Sequence, residues 1–293
     1  MFKKMDVVVI SGGLGNQMSQ YAFYLAKKRR DKNCIAIFNP YSQKEHNGSE
    51  LESVFNIQYR RGLINRILTY VYGVYNGIPK VRKYLERIRI TSIREPRNYD
   101  YTPPVLEPNK RKGIRFLIGG WHSERYYSAI RSEIRDLYTF RIEESEADIK
   151  KIESIILSDE NSVSIHIRRG DYVGHPDFDG VANDDYYLKS IEYLTKKIGS
   201  PHFYVFSNNI EYCKDFFSKL DINYTLVGFS GKRSYLDMYL MSLCRHHIIA
   251  NSTFSWWGAW LSPYEKSITI RPAKFLSHTF TKDIYPANWI SLN

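Results

Sequence analysis

The chain opens on a short apolar, β-branched run, residues 6–10, that breaks at Ser11-Gly12-Gly13. Such a run predicts a buried strand. Residues 16–30 follow with helical period and a basic last turn suited to the helix dipole. Residues 34–38 form the next strand, so the chain begins as a βαβ unit. From about 40 to 113 the pattern is irregular. It holds a turn-rich segment, residues 95–110, and a stretch in which Leu63, Ile64, Ile67, Val71 and Val74 recur at helical spacing. Residues 114–118 read as a strand, and Ser145 to Asp148 as a capping box opening a helix to about Leu157.

The second half alternates more regularly. Strands are predicted at 163–167, 203–206, 224–227, 247–250 and 267–270. Between them lie a helix capped by Asp184 or Asp185 and running to Ile198, one marked by Ile210, Cys213, Phe217 and Leu220, and two more at 234–244 and 253–261. Repeated βα units give parallel sheets wrapped by helices. The prediction is two doubly wound α/β domains, residues 1–157 and 158–293, the first carrying a basic helical insertion around 58–97.

Composition changes this picture in three ways. With 293 residues, 43% of them apolar, the chain is long enough for two ordinary cores. A net charge of +11 points to an anionic partner: nucleic acid, a membrane surface or a phosphorylated substrate. Residues 60–97 hold ten Lys or Arg against two Glu, Glu86 and Glu95. A basic amphipathic helix there fits either peripheral membrane contact or a plain solvated face. Three scattered cysteines without a CxxC pair argue against a disulfide framework or zinc site and for a reducing compartment. The apolar run near the start is too short for a signal segment or a membrane span, so the expected location is cytoplasmic, with peripheral contact at the inner membrane face.

Three motifs fall at the C-terminal ends of predicted strands, where open α/β sheets bind ligands. Ser11 to Gln17 reads SGGLGNQ. Its glycines let backbone approach a ligand, and Asn16 and Gln17 offer amides, yet it fits neither the dinucleotide nor the Walker A pattern. His166 to Tyr172 reads HIRRGDY. Alternation sets His166 and Arg168 on one face and Arg169 on the other. A guanidinium fork matches phosphate oxygens, and an Arg–Asp171 ion pair is the structural alternative, with Arg169 the expected partner of Asp171. Asn251 to Leu261 reads NSTFSWWGAWL, a capped helix start able to hold an anion, its three tryptophans serving as packing. Two weaker patterns carry little: Asp177 and Asp179 form a lone DxD, and the adjacent His246 and His247 point to opposite faces of a strand.

Taken together these strings resemble glycosyltransferase family 11, the bacterial-type galactoside α-1,2-fucosyltransferases. The resemblance rests on GGLGNQMSQYAFYLA, on HIRRGDY, and on DMYLMSLCRHHIIANSTFSWWGAWL from Asp237 to Leu261; residues 40–110 do not contribute. It implies a GT-B-like fold, two Rossmann-like domains facing a cleft, with the acceptor side in the first and GDP-fucose binding in the second. It also implies inverting chemistry with no required metal or cofactor, GDP-fucose being a co-substrate. On this resemblance Arg168 contacts the donor β-phosphate, His166 lies on the guanosine side and Asp237 reads guanine. Ser252, Thr253, Phe254 and Ser255 fall at the pyrophosphate, with Arg169 and Asn208 nearby, and Gly13, Gly15, Asn16 and Gln17 approach from the first domain. Ser207-Asn208-Asn209 departs from the family's usual SDD. Catalysis is assigned to Arg168 with Asn16 and Asp171 as helpers; Asp177, Asp179 and Asp184 are further candidate bases. The implied acceptor is a galactose-terminated glycan, lipid-linked in surface-polysaccharide synthesis, and nucleic acid is not expected. Another inverting nucleotide-sugar transferase and a non-enzymatic glycan-binding protein are the alternatives.

Overall fold

The computed structural model describes residues 4–39, 47–58, 62–143 and 146–292. They form two compact units, Met1–Thr139 with Lys282–Ile284, and Phe140–Thr281 with Tyr285–Asn293. The division lies at 139/140 rather than near 157, because the helix Ala147–Ser158 packs on the helix Tyr235–Leu243 of the second unit. Ser145, the expected first residue of its capping box, lies outside the described residues.

In the first unit, β1 (Lys4–Ile10), α1 (Leu14–Arg30) and β2 (Cys34–Phe38) are the expected βαβ opening. α2 (Glu50–Phe55), α3 (Leu63–Gly77) and α4 (Pro79–Arg87) follow, then β3 (Ile90–Arg94), β4 (Gly113–Ile118) and α5 (Arg131–Leu137). The four strands are parallel in the order β2-β1-β4-β3. The basic stretch is therefore not one helix: it divides at Pro79, and its last part is the edge strand β3. Residues 59–61 of that stretch lie outside the described residues. Only part of the helical spacing noted in α3 faces the sheet: Val71 packs against the core. Leu68, Tyr72 and Tyr75 join Val7, Val9 and Phe116 in the core, whereas Leu63, Ile64 and Ile67 are exposed.

A buried charge ties this unit together. Asp6 on β1 is fully buried and accepts from Arg115 of β4 through both oxygens, each at 2.7 Å. The equally buried Lys27 of α1 lies 2.7 Å from the same carboxylate and donates to the carbonyls of Leu106 and Glu107. Two strands and the helix over them are thus fixed by one carboxylate.

The second unit contains α6 (Ala147–Ser158), β5 (Ser162–Ile167), α7 (Asp184–Ile198), β6 (His202–Ser207), α8 (Ile210–Phe217), β7 (Asn223–Val227), α9 (Tyr235–Leu243), β8 (His246–Ile248), α10 (Thr253–Trp260), β9 (Thr269–Pro272) and β10 (Ile290–Leu292). Its six strands are parallel in the order β10-β9-β8-β5-β6-β7. Asn183, not Asp184 or Asp185, caps α7, its side chain accepting from Tyr186 N–H. Trp256, Trp257 and Trp260 are buried, as expected of packing residues, and all three cysteines are free and buried.

Breaking a buried ion pair from one side leaves a charge without compensation, at a cost of about 3–5 kcal/mol. Asp6→Ala should therefore destabilise the first unit by that order, read as a lower midpoint in denaturant unfolding. An unchanged midpoint would show that Lys27 and Arg115 find other partners.

Candidate active site

The strand order of the second unit fixes where a ligand can sit. The chain moves from β5 outward through β6 to β7, then returns to place β8 on the other side of β5. That reversal is a topological switch point, and the loops leaving β5 and β8 splay apart there. HIRRGDY leaves β5; Ile249 to Ser252 leave β8 and run into α10. The two segments meet: the His166 and Phe254 rings lie 5.7 Å apart, and the Tyr172 side chain reaches that of Ser252.

Arg168 is the first residue beyond β5. Its guanidinium bonds to both oxygens of Asp171 at 2.8 and 3.0 Å and lies over the Tyr172 ring, while its Nε is buried without a partner. Asp171 thus pairs with Arg168 rather than Arg169, because the short helical turn Gly170–Tyr172 folds the carboxylate back onto it. Arg169 points elsewhere, its guanidinium 3.9 Å from the centre of the Tyr212 ring and 4.0 Å from Asp184. Asn208 accepts from Arg169 N–H at 3.0 Å, and its amide fills the space a side chain at Gly170 would need. Arg169 and Asn208 therefore brace the loop that presents Arg168.

His166 is buried with an unpartnered Nδ1, and burial together with Arg168 pushes its pKa down to about 3. It is a neutral imidazole, able to accept or donate a hydrogen bond but not to supply charge. Ser252 caps α10 by accepting from Phe254 N–H at 3.3 Å. Thr253 and Phe254, half-buried, form the first turn. Ser255 is fully buried and donates to the carbonyls of Ala250 and Ser252, so its hydroxyl serves the helix start rather than a ligand. Asp237, on α9, is buried; its Oδ1 accepts from Phe229 N–H at 3.0 Å, and burial raises its pKa well above the usual carboxylate range. Among the described residues nothing bonds to its Oδ2. The lone DxD is occupied locally: Asp179 accepts from Gly174 and Gly180 N–H, and Asp177 pairs with His278.

The first unit has its own switch point, between β1 and β4. Gly12 sits at φ +79°, and a side chain there would meet the Asn16 amide at 2.6 Å. The constrained glycine is thus Gly12; Gly13 is the extended N-cap of α1 and Gly15 is buried inside it. Gln17 is buried with its amide fully used, donating to Gly12 and Gly48 carbonyls and accepting from Glu50 N–H. Gln20, unremarked in the sequence, joins the two loops: it accepts from Ser11 N–H and donates to Gly119 O. Glu95, just past β3, accepts from Gly120 and Trp121 N–H at 2.7 and 2.8 Å; its other oxygen is buried without a partner. No motif surrounds Glu95, and the helical insertion expected around 58–97 spans β3; a lone acid after the alternating ITSIR is the available signal. His122, two residues past Gly120, is buried, its pKa pushed down to about 3 by desolvation.

Comparison with known proteins bears on both units. Residues 109–293 match the family model Glycosyl transferase family 11. An alpha-1,2-colitosyltransferase of Escherichia coli is 32% identical over 98% of this chain and 99% of its own. The O-antigen biosynthesis glycosyltransferase WbnK, also of Escherichia coli, is 28% identical over 97% and 99%. Among solved structures, fucosyltransferase NodZ from Bradyrhizobium superposes with a TM-score of 0.52 at 11% identity, covering 90% of this chain and 94% of NodZ. The fold is thus of the GT-B type.

Burial moves the Glu95 carboxyl up to about 7, against 4.5 for a free side chain, despite the two N–H groups that favour its ionised form. With the folded pKa above the unfolded one, the native state holds the extra proton, and stability falls as pH rises from about 4.5 to 7. Glu95→Gln keeps an acceptor for both N–H groups and removes the titration. The variant should gain stability relative to wild type across that window, by up to ~3 kcal/mol at the alkaline end. Parallel stability–pH curves for the two proteins would contradict this.

Proposed function

We propose, from the premise that this chain belongs to glycosyl transferase family 11, that it transfers L-fucose from GDP-β-L-fucose to the 2-hydroxyl of a galactoside, with inversion. The observation that carries this reading is the partly buried Arg168 at the β5/β8 switch point, beside the N-terminus of α10. A diphosphate suits both: a guanidinium fork binds its oxygens, and helix N–H groups attract its charge. Guanine presents N–H donors on one edge; they would favour the ionised form of the buried Asp237, whose Oδ2 then accepts from them.

In the reaction an acceptor hydroxyl forms a bond to fucose C1 while the bond from C1 to the β-phosphate oxygen breaks. Both bonding electrons leave with GDP, and the hydroxyl proton passes to water. Attack opposite the leaving group turns a β donor into an α product. Negative charge grows on the β-phosphate as the bond lengthens, so a guanidinium fixed there gains strength in the transition state. Asp171, bonded to Arg168 through both oxygens, acts as its orienting partner rather than as the base. Asn16, held beside Gly12, contributes to the strand-end surface of the first unit.

One relative favours a second reading of the donor. The 32% identical protein is a colitosyltransferase, and colitose is fucose without its 3-hydroxyl. GDP-colitose would use the same diphosphate and guanine contacts, so discrimination would rest on that one hydroxyl.

The test supplies the purified chain with GDP-fucose and GDP-colitose in competition and with galactose-, lactose- and N-acetyllactosamine-type acceptors, followed by linkage analysis. Fucose α-linked to O2 of galactose is the expected product. Arg168→Ala should lower kcat by ~100–1000-fold, and Arg168→Lys should also be poor because a point charge does not reproduce the fork. Near-normal turnover of Arg168→Ala would remove that residue from the mechanism. Preference for GDP-colitose would replace fucose with the second donor.

A further inference from the structure

Seven of the twelve large apolar side chains exposed among the described residues lie between positions 63 and 88. Four are on α3: Leu63 at 72% exposure and Tyr70 at 73%, with Ile64 and Ile67 between them. At 100° per residue Leu63, Ile67 and Tyr70 fall within one narrow stripe and Ile64 at its margin, while the core-facing Leu68, Tyr72 and Tyr75 lie roughly opposite. α3 is therefore apolar on two faces, and Arg66 is its one charged residue. A helix resting on a sheet has no reason to turn a second apolar face to water; contiguous patches of this kind mark an interface.

The adjoining α4 supplies the charge. Lys80, Lys83 and Arg87 are exposed at helical spacing on one face, and none forms an ion pair with a described residue. Glu86, the one acid of α4, is engaged by the Tyr75 hydroxyl. Arg82 is likewise tied down, donating to the carbonyls of Tyr75 and Asn76 at the end of α3. The two helices thus present an uncompensated cationic face beside an apolar one.

We propose that α3 and α4 form a docking surface for an anionic lipid bilayer, with α3 lying in the plane of the interface. The charge decides between a bilayer and a second copy of this chain. In a two-fold dimer the same patch is buried from both copies, so Lys80, Lys83 and Arg87 of each would be gathered into one interface of like charge. Anionic headgroups neutralise those charges while acyl chains cover Leu63, Ile64 and Ile67. Tyr70 and Tyr84, both exposed, have the apolar ring and polar tip that suit headgroup depth. α3 is too short and lies too flat on its sheet to cross a membrane, and no described helix is long and apolar enough to do so. Contact of this kind is reversible and strengthened by both apolar area and anionic lipid.

The test is co-sedimentation of the purified chain with vesicles of phosphatidylcholine alone or mixed with phosphatidylglycerol. The wild type should bind the mixed vesicles, weakly bind the neutral ones, and be released by salt. Reversing three charges, K80E with K83E and R87E, should lower partitioning by ~100-fold or more, since each cation near the surface contributes about tenfold or less and reversal counts twice. Replacing the apolar stripe, I64S with I67S and Y70S, should lower it comparably while leaving the charge intact. Both sets are at exposed positions, and unchanged circular dichroism and thermal melts show that the variants are folded. The proposal fails if the wild type ignores anionic vesicles or if neither set weakens binding. It also fails if light scattering shows a dimer that the apolar set dissociates, which would assign the face to a second copy.

Discussion

The pairing of β5 with β6 on one side and β8 on the other is the constraint on which the site depends. Six consecutive buried residues, Ser162 to Ile167, make β5 a central strand, and only a central strand can present its C-terminal loop at a reversal of strand order. From that geometry the rest follows. Arg168 emerges at the C-terminal end of this central strand, Asp171 folds back onto it, and Arg169 is turned away to stack on Tyr212. The loop from β8 arrives beside it with Ser252 already spent on capping α10. The hydroxyls, amides and carboxylates of this region are largely committed before any ligand is considered. What remains is a guanidinium with a buried, unpartnered Nε, a neutral His166, and one free oxygen of Asp237.

The first unit shows the same economy by other means. Its sheet is locked by a carboxylate, Asp6, shared between Lys27 and Arg115. Its strand-end loops are fixed by side chains that donate to and accept from backbone: Gln17 holds the segment near Glu50, Gln20 joins Ser11 to Gly119, and Glu95 collects two N–H groups. Such loops cannot reorganise cheaply, since each buried amide or carboxylate released from its partners carries a desolvation cost.

Much of the fold was legible in the sequence because its strands are short, apolar and bounded by turn residues. In the second unit every strand but β10 is legible; β10 is three residues, Ile290 and Leu292 half-buried and Ser291 exposed, with no apolar run to mark it. The region between β2 and β4 was not legible. There, positive charge and helical spacing continue past Pro79 into β3, so that two helices and a strand look like one amphipathic helix. The spacing alone did not decide burial. Leu63, Ile64 and Ile67 fit a core stripe as well as Leu68, Tyr72 and Tyr75 do, and only the sheet beneath decides between them. At the site, the motif strings were visible but their internal pairing was not. Whether Asp171 belongs to Arg168 or Arg169 depends on a three-residue helical turn, and the burial of Ser255 depends on a cap, neither of which leaves a sequence pattern. Glu95 was passed over because no motif surrounds it.

The proposed function rests on recognition by Arg168 of the terminal phosphate of a guanosine diphosphate, the group on which charge would develop. Calorimetric titration of GDP and GMP into wild type and Arg168→Ala tests this without turnover. Wild type should bind GDP more tightly than GMP, and the substitution should abolish the difference, bringing GDP down to an unchanged GMP affinity. An Arg168→Ala protein that keeps the full preference for GDP, or that loses GMP as severely as GDP, would contradict it.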